Sequence, residues 1–291
     1  MYEEVEKTYT QAYGNIITML SQQTKSKLEN CVTVQTGIKG KSAVAADQVG
    51  EFQFTTVENR LEDTNLQDIE RQRRWYQPIM KRGCVPLDNI DMIKTTLDPK
   101  SQLVVAGMAG VNRAKDAEIV RAYYGTNITG EQGGSTATFD SNNVIASSYG
   151  SGDIIKQLNK GLSLFAKNNV DVENEELFCV VNSVAAEKLR QAGIYISSDY
   201  MNNKPLAGKQ LPAYCGINFI QYEAVPSYSD SGTVYKLPLF AKSGVGLGKW
   251  EDVKVRVGEL PNKNYAWSVF MEFALGASRL EEAKCLSIEV K

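Results

Sequence analysis

The 291-residue chain contains no histidine, and this absence removes several classes of chemistry at once. Without an imidazole there is no Ser-His-Asp triad, no Cys-His nucleophile, no HExxH zinc site and no two-histidine iron site. A Ser-x-x-Lys arrangement could replace the histidine, but no serine here is followed by lysine three positions later. An enzyme of this composition would therefore depend on carboxylate or lysine chemistry.

Cysteine is sparse, and its spacing excludes a paired site. The five cysteines are an odd number, and the closest two, Cys179 and Cys215, lie 36 positions apart, so there is no CxxC metal or redox pair. The N-terminus carries Glu3, Glu4 and Glu6 where a secretory signal would have basic and then apolar residues. Both observations favour synthesis in a reducing cytoplasm.

The chain also lacks a long apolar run and an excess of either charge. Its longest strongly apolar stretch, residues 103–111, has nine residues and includes two glycines, which is too short to cross a bilayer. The 32 basic and 34 acidic side chains give a formal charge of −2, which argues against an obligate nucleic-acid-binding domain. With 43% apolar and 23% charged residues, the composition is typical of a globular protein.

Hydrophobic periodicity predicts helices and strands in separate blocks, which indicates an α+β fold. Helices are predicted at residues 2–30, at 99–124 behind an Asp98 cap, from 154 to about 165, and at 184–191 behind a Ser183 cap. Strands are predicted at residues 177–182, 217–221, 264–277 and 284–290, the last two joined through 276–279, and a β-hairpin is predicted at 32–57. The remaining chain beyond residue 192 is expected to be rich in loops.

Three short motifs receive ordinary structural interpretations. The segment 244–250 resembles a phosphate-binding loop but lacks the first glycine and the hydroxyl that such a loop needs, so we expect a glycine-rich turn. Asp88 and Asp91 lack the further oxygen ligands of a calcium loop, so no metal site is expected. The basic cluster 71–82 could contact nucleic acid, but the acidic residues just before it nearly cancel its charge. Ion pairs within or between subunits are the favoured interpretation of that cluster.

A long hairpin, an N-terminal arm and opposed blocks of charge are difficult to bury within one chain of this size. A hairpin that projects must find its partners elsewhere, and another copy of the same chain is the natural supplier. The pattern therefore indicates a protein that assembles with itself.

Short motifs along nearly the whole chain lead to a more specific expectation. They are Gly37-Ile-Lys-Gly40-Lys41, Asp47-Gln-Val-Gly50, Arg60-Leu-Glu-Asp63-Thr64, Arg73-Arg74-Trp75, Asp88-Asn-Ile-Asp91 followed by Asp98-Pro99, Asn112-Arg113-Ala-Lys-Asp116, Gly125 with Thr129-Gly130, Leu177-Phe-Cys-Val-Val-Asn182, Ser198-Asp199-Tyr200 and Gly276-Ala-Ser-Arg279. Taken in this order, the chain resembles the major capsid proteins of tailed bacteriophages. The shared order makes the resemblance specific, because each motif alone is weak.

The resemblance implies an α+β fold of the Hong-Kong-97 type. It places an N-terminal arm at residues 1–31, an extended hairpin called the E-loop with its base at 32–78, a P-domain at 79–140 with a spine helix at about 99–124, an A-domain at 141–262, and the return strands of the P-domain at 263–291. The small residues of the spine helix would then pack under neighbouring strands.

The resemblance also implies a function, that of a major capsid protein without catalysis, cofactor or metal. The chain would self-assemble as hexamers and pentamers into an icosahedral shell, in the bacterial cytoplasm, and enclose the double-stranded DNA of the virion. Because only about 30 residues precede the hairpin, we expect a separate scaffolding protein. A portal protein is a further expected partner, a cement or decoration protein is an optional one, and DNA would be contacted non-specifically, with no membrane involved.

Alternatives remain open at this point. An encapsulin-like nanocompartment with an enzyme cargo would share the fold and the ability to assemble. A nucleic-acid-binding module and a histidine-free enzyme belong to different classes. Packaged DNA or a cargo enzyme that purifies with the particles would separate the first alternative from a capsid.

Charged residues at the hairpin are the candidate contacts between subunits. They are Lys39, Lys41, Arg60, Glu62, Asp63, Glu70, Arg71, Arg73 and Arg74, together with the aromatic Trp75. An exposed ion pair contributes only about 0–1 kcal/mol, which suits an assembly that must form reversibly. Some relatives crosslink lysine to asparagine, but nothing in the sequence identifies the partners that Lys39 or Lys41 would need, so we expect no crosslink.

The missing histidine also bears on how such a shell would mature. No imidazole is present to titrate between about pH 5 and 8, where histidine is the usual switch. We therefore expect DNA filling and scaffold loss, and not mild acidification, to drive maturation. An expansion midpoint near pH 6.5 in empty particles would contradict this expectation.

Overall fold

The computed structural model describes residues 22–54, 56, 66, 68–87, 100–192, 211–230 and 232–291. The helices in these ranges are α1 (Lys100–Tyr124), α2 (Ile154–Lys167) and α3 (Ser183–Gln191). The strands are β1 (Thr33–Thr36), β2 (Ala43–Val49), β3 (Arg71–Tyr76), β4 (Ile79–Leu87), β5 (Asn127–Thr129), β6 (Ser135–Ala137), β7 (Val144–Ile145), β8 (Leu177–Val181), β9 (Ile217–Gln221), β10 (Ser227–Ser229), β11 (Thr233–Ala241), β12 (Val245–Leu260), β13 (Ala266–Arg279) and β14 (Cys285–Val290).

The strands form three sheets. One has the order β1-β12-β13-β4, the second has β7-β14-β11-β8-β9 with β10 beside β11, and the third has β2-β3-β5-β6. Strands that neighbour each other in these sheets are often not consecutive in the chain, and helices and strands do not alternate regularly along its whole length. The predicted α+β class is confirmed.

The chain divides into two units. The described part of the first unit consists of residues 22–25, 81–87, 100–113 and 253–273. Within it, the Asn112 side chain donates a hydrogen bond to the backbone oxygen of Thr24 at 2.9 Å. The second unit holds the remaining described residues, including the two sheets that consist of β2-β3-β5-β6 and of β7-β14-β11-β8-β9.

The five-stranded sheet of the second unit, with helices α2 and α3, holds much of the buried apolar surface. Leu177 and Cys179 of β8 are buried, as the apolar run in the sequence predicts. Helix α2 begins at the predicted place because the side chain of Asp153 accepts a hydrogen bond from the backbone N–H of Ile155 at 3.0 Å. Its apolar stripe includes Leu158 and Phe165, both fully buried.

Helix α3 is found where the sequence predicts it, but its capping residue differs. The side chain of Asn182 accepts a hydrogen bond from the N–H of Ala185 at 2.9 Å and is the N-cap. Ser183, the predicted cap, is the first helical residue, and its hydroxyl contacts the carboxylate of Glu223 at 3.1 Å. Asparagine and serine are both strong N-caps, so the order of the two residues could not decide between them.

The C-terminal end of α1 is closed by a buried arginine from a distant strand. The helix ends just before Gly125, as predicted, and its last carbonyl groups have no partners within the helix. Arg279 of β13, fully buried, donates hydrogen bonds to the backbone oxygens of Ala122 at 3.3 Å, Gly125 at 2.7 Å and Ala137 at 3.2 Å. Its Nε atom also contacts the carboxylate of Glu282 at 2.9 Å. One side chain thus joins the helix end to two other segments.

The hairpin predicted over residues 32–57 is wrong in its strand pairing. Strand β1 pairs in parallel with residues 246–249 of β12, and β2 pairs in the antiparallel direction with β3. The hairpin of this region is therefore β2–β3, with residues 50–70 between the strands. The glycines at 37 and 40 separate two strands that belong to different sheets.

Two further predictions at the ends of the chain are corrected. Of the helix predicted at 2–30, residues 1–21 lie outside the described residues, and in 22–30 the structure has only a 3-10 turn that begins at Glu29. Residues 276–279, predicted to join the last two strands, are the end of β13, and β13 and β14 lie in different sheets. The sequence beyond 232 also forms longer strands than the loop-rich pattern suggests.

The glycine-rich segment after residue 244 is a strand and not the predicted turn. Gly246 lies in β12, and a Cβ at position 246 would lie 1.9 Å from the hydroxyl oxygen of Tyr76 and 2.9 Å from the ring carbon that carries it. Tyr76 is fully buried, and its hydroxyl has no hydrogen-bond partner among the described residues. Burial raises the pKa of this hydroxyl. The glycine serves close packing and not phosphate binding.

This contact gives a first prediction. We expect Gly246→Ala to lower the free energy of unfolding of the subunit by about 2 kcal/mol or more, because the new methyl group overpacks the site. Tyr76→Phe should leave that free energy unchanged or raise it by about 1 kcal/mol, since it removes a buried hydroxyl without a partner. The double variant should lose less free energy of unfolding than the sum of the two single-variant changes. Urea unfolding measures all three, and a Tyr76→Phe loss above about 1 kcal/mol would contradict this account.

An ionic cluster in the second unit depends on Lys284. Its Nζ atom donates to Glu175 at 2.6 Å and to the hydroxyl of Ser243 at 3.0 Å, and it pairs with Glu281 at 3.2 Å. Burial by itself raises the pKa of Glu175, but its hydrogen bonds to Lys284 and Ser243 outweigh burial and bring the pKa below the ordinary 4.5. Burial by itself lowers the pKa of Lys284, but its contacts with the two glutamates outweigh it and raise the pKa.

These shifts predict the pH dependence of stability. A carboxylate with a lowered folded-state pKa stabilises the fold fully above its ordinary value and loses that contribution as pH falls through the folded value. We therefore expect subunit melting temperatures that are nearly constant from about pH 5 to 8, where the chain has no histidine to titrate, and that fall below pH 4.5. Lys284→Met should make the acid decrease shallower, and Lys167→Met, at the end of α2, should not. A steep change near pH 6.5 would contradict the prediction.

Candidate inter-subunit interface

The β2–β3 hairpin carries most of the described residues predicted to contact other subunits. Its register pairs Asp47 with Arg73 and Val44 with Trp75. The base of the connecting segment is closed by a hydrogen bond from the N–H of Gly50 to the backbone oxygen of Glu70 at 2.7 Å. Strand alternation places the side chains of β3 on two faces, which have different surroundings.

Arg73 and Trp75 share one face of β3. The guanidinium of Arg73 contacts the carboxylate of Asp47 at 2.5 and 3.2 Å, and this hydrogen bonding lowers the pKa of Asp47. The Arg73 guanidinium also lies 5.8 Å from the centre of the Trp75 ring, and the indole N–H of Trp75 donates to the backbone oxygen of Gly130 at 2.8 Å. The ion pair of Arg73 with Asp47 is exposed, so it adds little to the stability of the subunit and remains accessible to another chain.

Arg74 lies on the other face of β3 and is inside the subunit. The residue is only 4% exposed, and its Nη1 atom contacts the carboxylate of Glu282 at 3.4 Å. Arg74 is therefore not an exposed charge like Arg73, and its predicted contact with another subunit stays a prediction. Adjacent residues of a strand point to opposite faces, and Glu282, which lies 208 positions away in the sequence, is what pairs with the inner one.

The remaining predicted residues fall into two groups. Lys39, Lys41, Glu70 and Arg71 are exposed. Arg60, Glu62 and Asp63 lie outside the described residues, as do Asp88 and Asp91. The structure thus brings Arg71, Arg73, Trp75 and Glu70 together on one hairpin and places the two lysines before its first strand.

Sequence reasoning missed an apolar surface in the segment that connects β2 and β3. Phe54 is 91% exposed and Phe52 is 57% exposed, and their rings contact each other edge to face with centres 5.0 Å apart. Leu66 is 90% exposed, and Val49 is also exposed. The sequence 51–54 alternates polar and aromatic residues, a signal that predicts one buried face of a strand. Within the chain that face is uncovered, and this exposed apolar group is typical of a surface that contacts a partner.

Other kinds of site find no support among the residues that the structure describes. No group of three or more acidic or cysteine side chains is placed to hold a metal ion. None of the described helices is long and apolar enough to span a membrane.

Comparison with known proteins identifies the family. A family model described as phage capsid protein matches residues 5–291. The chain belongs to the phage capsid protein family. A search of curated protein sequences finds no match. The expected resemblance to capsid proteins is confirmed.

Solved structures confirm the Hong-Kong-97-like fold of this capsid protein. The capsid of cyanophage P-SCSP1u is similar with a TM-score of 0.76 at 15% identity, over 99% of this chain and 94% of that one. The head of Helicobacter pylori bacteriophage KHP40 gives 0.74 at 11% identity, over 97% and 96%. A chain of Mycobacterium phage Che8 gives 0.73 at 14% identity, over 97% of both. The capsid protein therefore has the fold expected from its sequence, along nearly its whole length.

The family and the fold together establish the function in outline. The chain is a major capsid protein, a structural protein that associates with itself to form the shell of a bacteriophage virion. The encapsulin-like shell, the nucleic-acid-binding module and the histidine-free enzyme gain no support from these comparisons.

Proposed function

We propose that this capsid protein forms an icosahedral shell of hexamers and pentamers around the double-stranded DNA of a tailed phage. The observation that carries the proposal is the exposed aromatic pair Phe52 and Phe54 in the segment that connects β2 and β3. Burying such a pair against another copy would supply apolar contact area that exposed ion pairs cannot.

The proposal includes further partners. A separate scaffolding protein would guide assembly in the cytoplasm of the bacterial host, and a portal protein would complete the shell. A cement or decoration protein is an optional addition. DNA would be contacted non-specifically, in agreement with the formal charge of −2 of the chain.

The parts of the fold are assigned by analogy with the family. We propose the N-terminal arm at 1–31, the E-loop and its base at 32–78, the P-domain at 79–140, the A-domain at 141–262 and the return strands at 263–291. The assignment is supported by the β2–β3 hairpin within the second range and by helix α1 within the third.

The proposed contacts between subunits use the exposed part of the predicted set. Arg71, Arg73, Trp75 and Glu70 on the hairpin, with Lys39 and Lys41 before it, are accessible or partly accessible to a neighbouring chain. Arg60, Glu62 and Asp63 remain in the proposal from their position in the sequence. Arg74 is buried, and we propose a separate contact between copies for it below.

The proposed function has no catalytic step. One described hydroxyl, that of Ser243, lies beside a lysine: it contacts Lys284 at 3.0 Å and Glu175 at 2.5 Å. A lysine must be neutral to act as a general base, but the two glutamates raise the pKa of Lys284 and hold its proton. The cluster therefore serves as a structural ion pair.

Size-exclusion chromatography and negative-stain microscopy of the purified chain, with and without its scaffolding protein, test the proposed assembly. We expect shells of uniform diameter and, from infected cells, particles that contain double-stranded DNA and a portal protein. A cargo enzyme in place of DNA would favour the nanocompartment. A stable monomer under all conditions would reject the assembly proposal.

The aromatic pair gives a direct prediction. The double variant Phe52→Ser with Phe54→Ser should lower the yield of particles about tenfold or more while the melting temperature of the unassembled subunit stays unchanged, because both rings are exposed within the chain. Sucrose-gradient sedimentation measures the yield. Gln53→Ser, between the two rings, is the matched control and should assemble normally. Normal assembly of the double variant would show that the rings are not part of the interface.

A further inference from the structure

Arg74 uses few of the hydrogen bonds that a buried arginine requires. Its guanidinium group has five N–H donors, and a buried charge of this kind is normally paired and hydrogen-bonded. The contact of Nη1 with Glu282, at 3.4 Å, is its one hydrogen bond among the described residues. The buried Nε atom has no partner there.

The carboxylate that Arg74 contacts is already engaged. Arg279, which is fully buried, donates from Nε to both carboxylate oxygens of Glu282 at 3.1 and 2.9 Å. Two buried guanidinium groups therefore share one carboxylate. The nearby Glu281 pairs instead with Lys284 at 3.2 Å. Of the three cations Arg74, Arg279 and Lys284, Arg74 thus has the weakest ion pair.

A cleft of about 530 Å³ lies next to Arg74 on the inner face of β3. Its lining includes Gln48, Gln72, Arg74, Glu281 and Glu282. Gln48 and Gln72 are paired across β2 and β3, and strand alternation puts Gln72 on the same face as Arg74. Most of the residues that line the cleft have polar side chains, and the cleft is large enough for a side chain from outside the subunit.

The geometry of the guanidinium selects the chemistry of the ligand. Nη1 is directed at Glu282 and Nε is buried, so Nη2 is the donor left for a ligand in the cleft, and a guanidinium N–H forms its strongest hydrogen bonds with a carboxylate or a phosphate. We propose that this cleft binds a carboxylate side chain from a second copy of the chain. The inference deepens the proposed assembly and rests on it.

The surroundings of the cleft favour a protein carboxylate over nucleic acid. The charges of the lining balance, with Arg71 and Arg74 against Glu281 and Glu282, so a strand of phosphates would bring several negative charges without matching cations. A single carboxylate on a polypeptide brings one charge, and its neighbouring backbone can bond to polar side chains such as Gln72. In a shell every subunit has neighbouring copies at high local concentration, which compensates for a weak individual contact.

A side-chain-resolution structure of the assembled wild-type particle tests the proposal directly. We expect a carboxylate of a second copy about 3 Å from Nη2 of Arg74. A cleft that holds only water, a free anion or a DNA phosphate would overturn the inference and leave the capsid function intact. Failure of the chain to form particles would reject the proposed function itself.

A second test places a competing carboxylate inside the cleft. Gln72→Glu introduces it on the same strand face, at an exposed position, at the cost of the Gln72 hydrogen bond to Glu70. We expect a particle yield about tenfold lower, because the new carboxylate occupies Arg74, with no loss of folded subunit in circular dichroism. Gln77→Glu makes the same charge change at an exposed position outside the cleft and should assemble normally. Equal yields from the two variants would overturn the proposal.

Discussion

Replacing Arg279 with methionine is expected to lower the free energy of unfolding of the subunit by about 3–5 kcal/mol. The substitution keeps much of the apolar stem but removes donors to the backbone oxygens of Ala122, Gly125 and Ala137. Among the described residues, it also leaves the Glu282 carboxylate with only the 3.4 Å contact to Arg74. Buried acceptors that lose their donors account for most of the expected cost.

Urea unfolding of the unassembled subunit measures this loss, and the chain offers a matched control. Arg256 is 70% exposed and lies 3.8 Å from Glu272, so Arg256→Met should change the free energy of unfolding by no more than about 0.5 kcal/mol. Nearly equal results for the two variants would show that the bonds of Arg279 do not hold the end of α1 in solution.

The second large effect is expected at Gly276, in strand β13. A Cβ atom there would lie 2.0 Å from the backbone oxygen of Gln77 and 2.8 Å from its carbonyl carbon. The obstacle is main chain between β3 and β4, so it cannot move aside as a side chain tip could. We expect Gly276→Ala to cost at least about 3 kcal/mol of unfolding free energy, or to leave the chain insoluble.

Gly83→Ala is the control for this substitution. Gly83 lies in β4, and nothing lies within 4 Å of the Cβ that alanine would add. The change should alter the unfolding free energy by less than about 1 kcal/mol. The fraction of soluble protein and urea unfolding compare the two variants. A Gly276→Ala subunit as stable as Gly83→Ala would rule out the close approach of β13 to residue 77.

The local parts of the fold were predictable from the sequence. The Asp153 cap and the apolar stripe after it predicted α2, and the apolar run at 177–181 predicted β8, because capping and periodicity depend on residues close together in the chain. The end of α1 before Gly125 was predicted for the same reason. Such signals need no knowledge of distant segments.

The pairing of the strands could not be read in this way. The sequence 32–57 looks like a hairpin because its β-branched residues flank a glycine-containing segment, yet β1 joins β12 and β2 joins β3. A strand signal states that a segment is extended, but not which other segment supplies its hydrogen bonds. The glycine-rich stretch at Gly246 was misread as a turn because the ring that it accommodates, Tyr76, lies 170 positions earlier.

The candidate interface also combines features that the sequence predicts with features that depend on distant segments. The charges of Arg73 and Arg74 are equivalent in the sequence, but Arg73 meets Asp47 at the surface and Arg74 lies against Glu282 inside. The exposed aromatic pair, Phe52 and Phe54, was visible as an alternating pattern whose uncovered state only the structure reveals.

The sequence by itself determined that this capsid protein lacks all histidine chemistry. It has no histidine nucleophile, no histidine metal site and no histidine titration between about pH 5 and 8. These follow from composition, which folding does not change. Only the tertiary structure decided which charges are available to another subunit. The burial and the partners of a side chain such as Arg74 depend on segments that are distant in the chain and adjacent in the fold, because strand pairing brings them together.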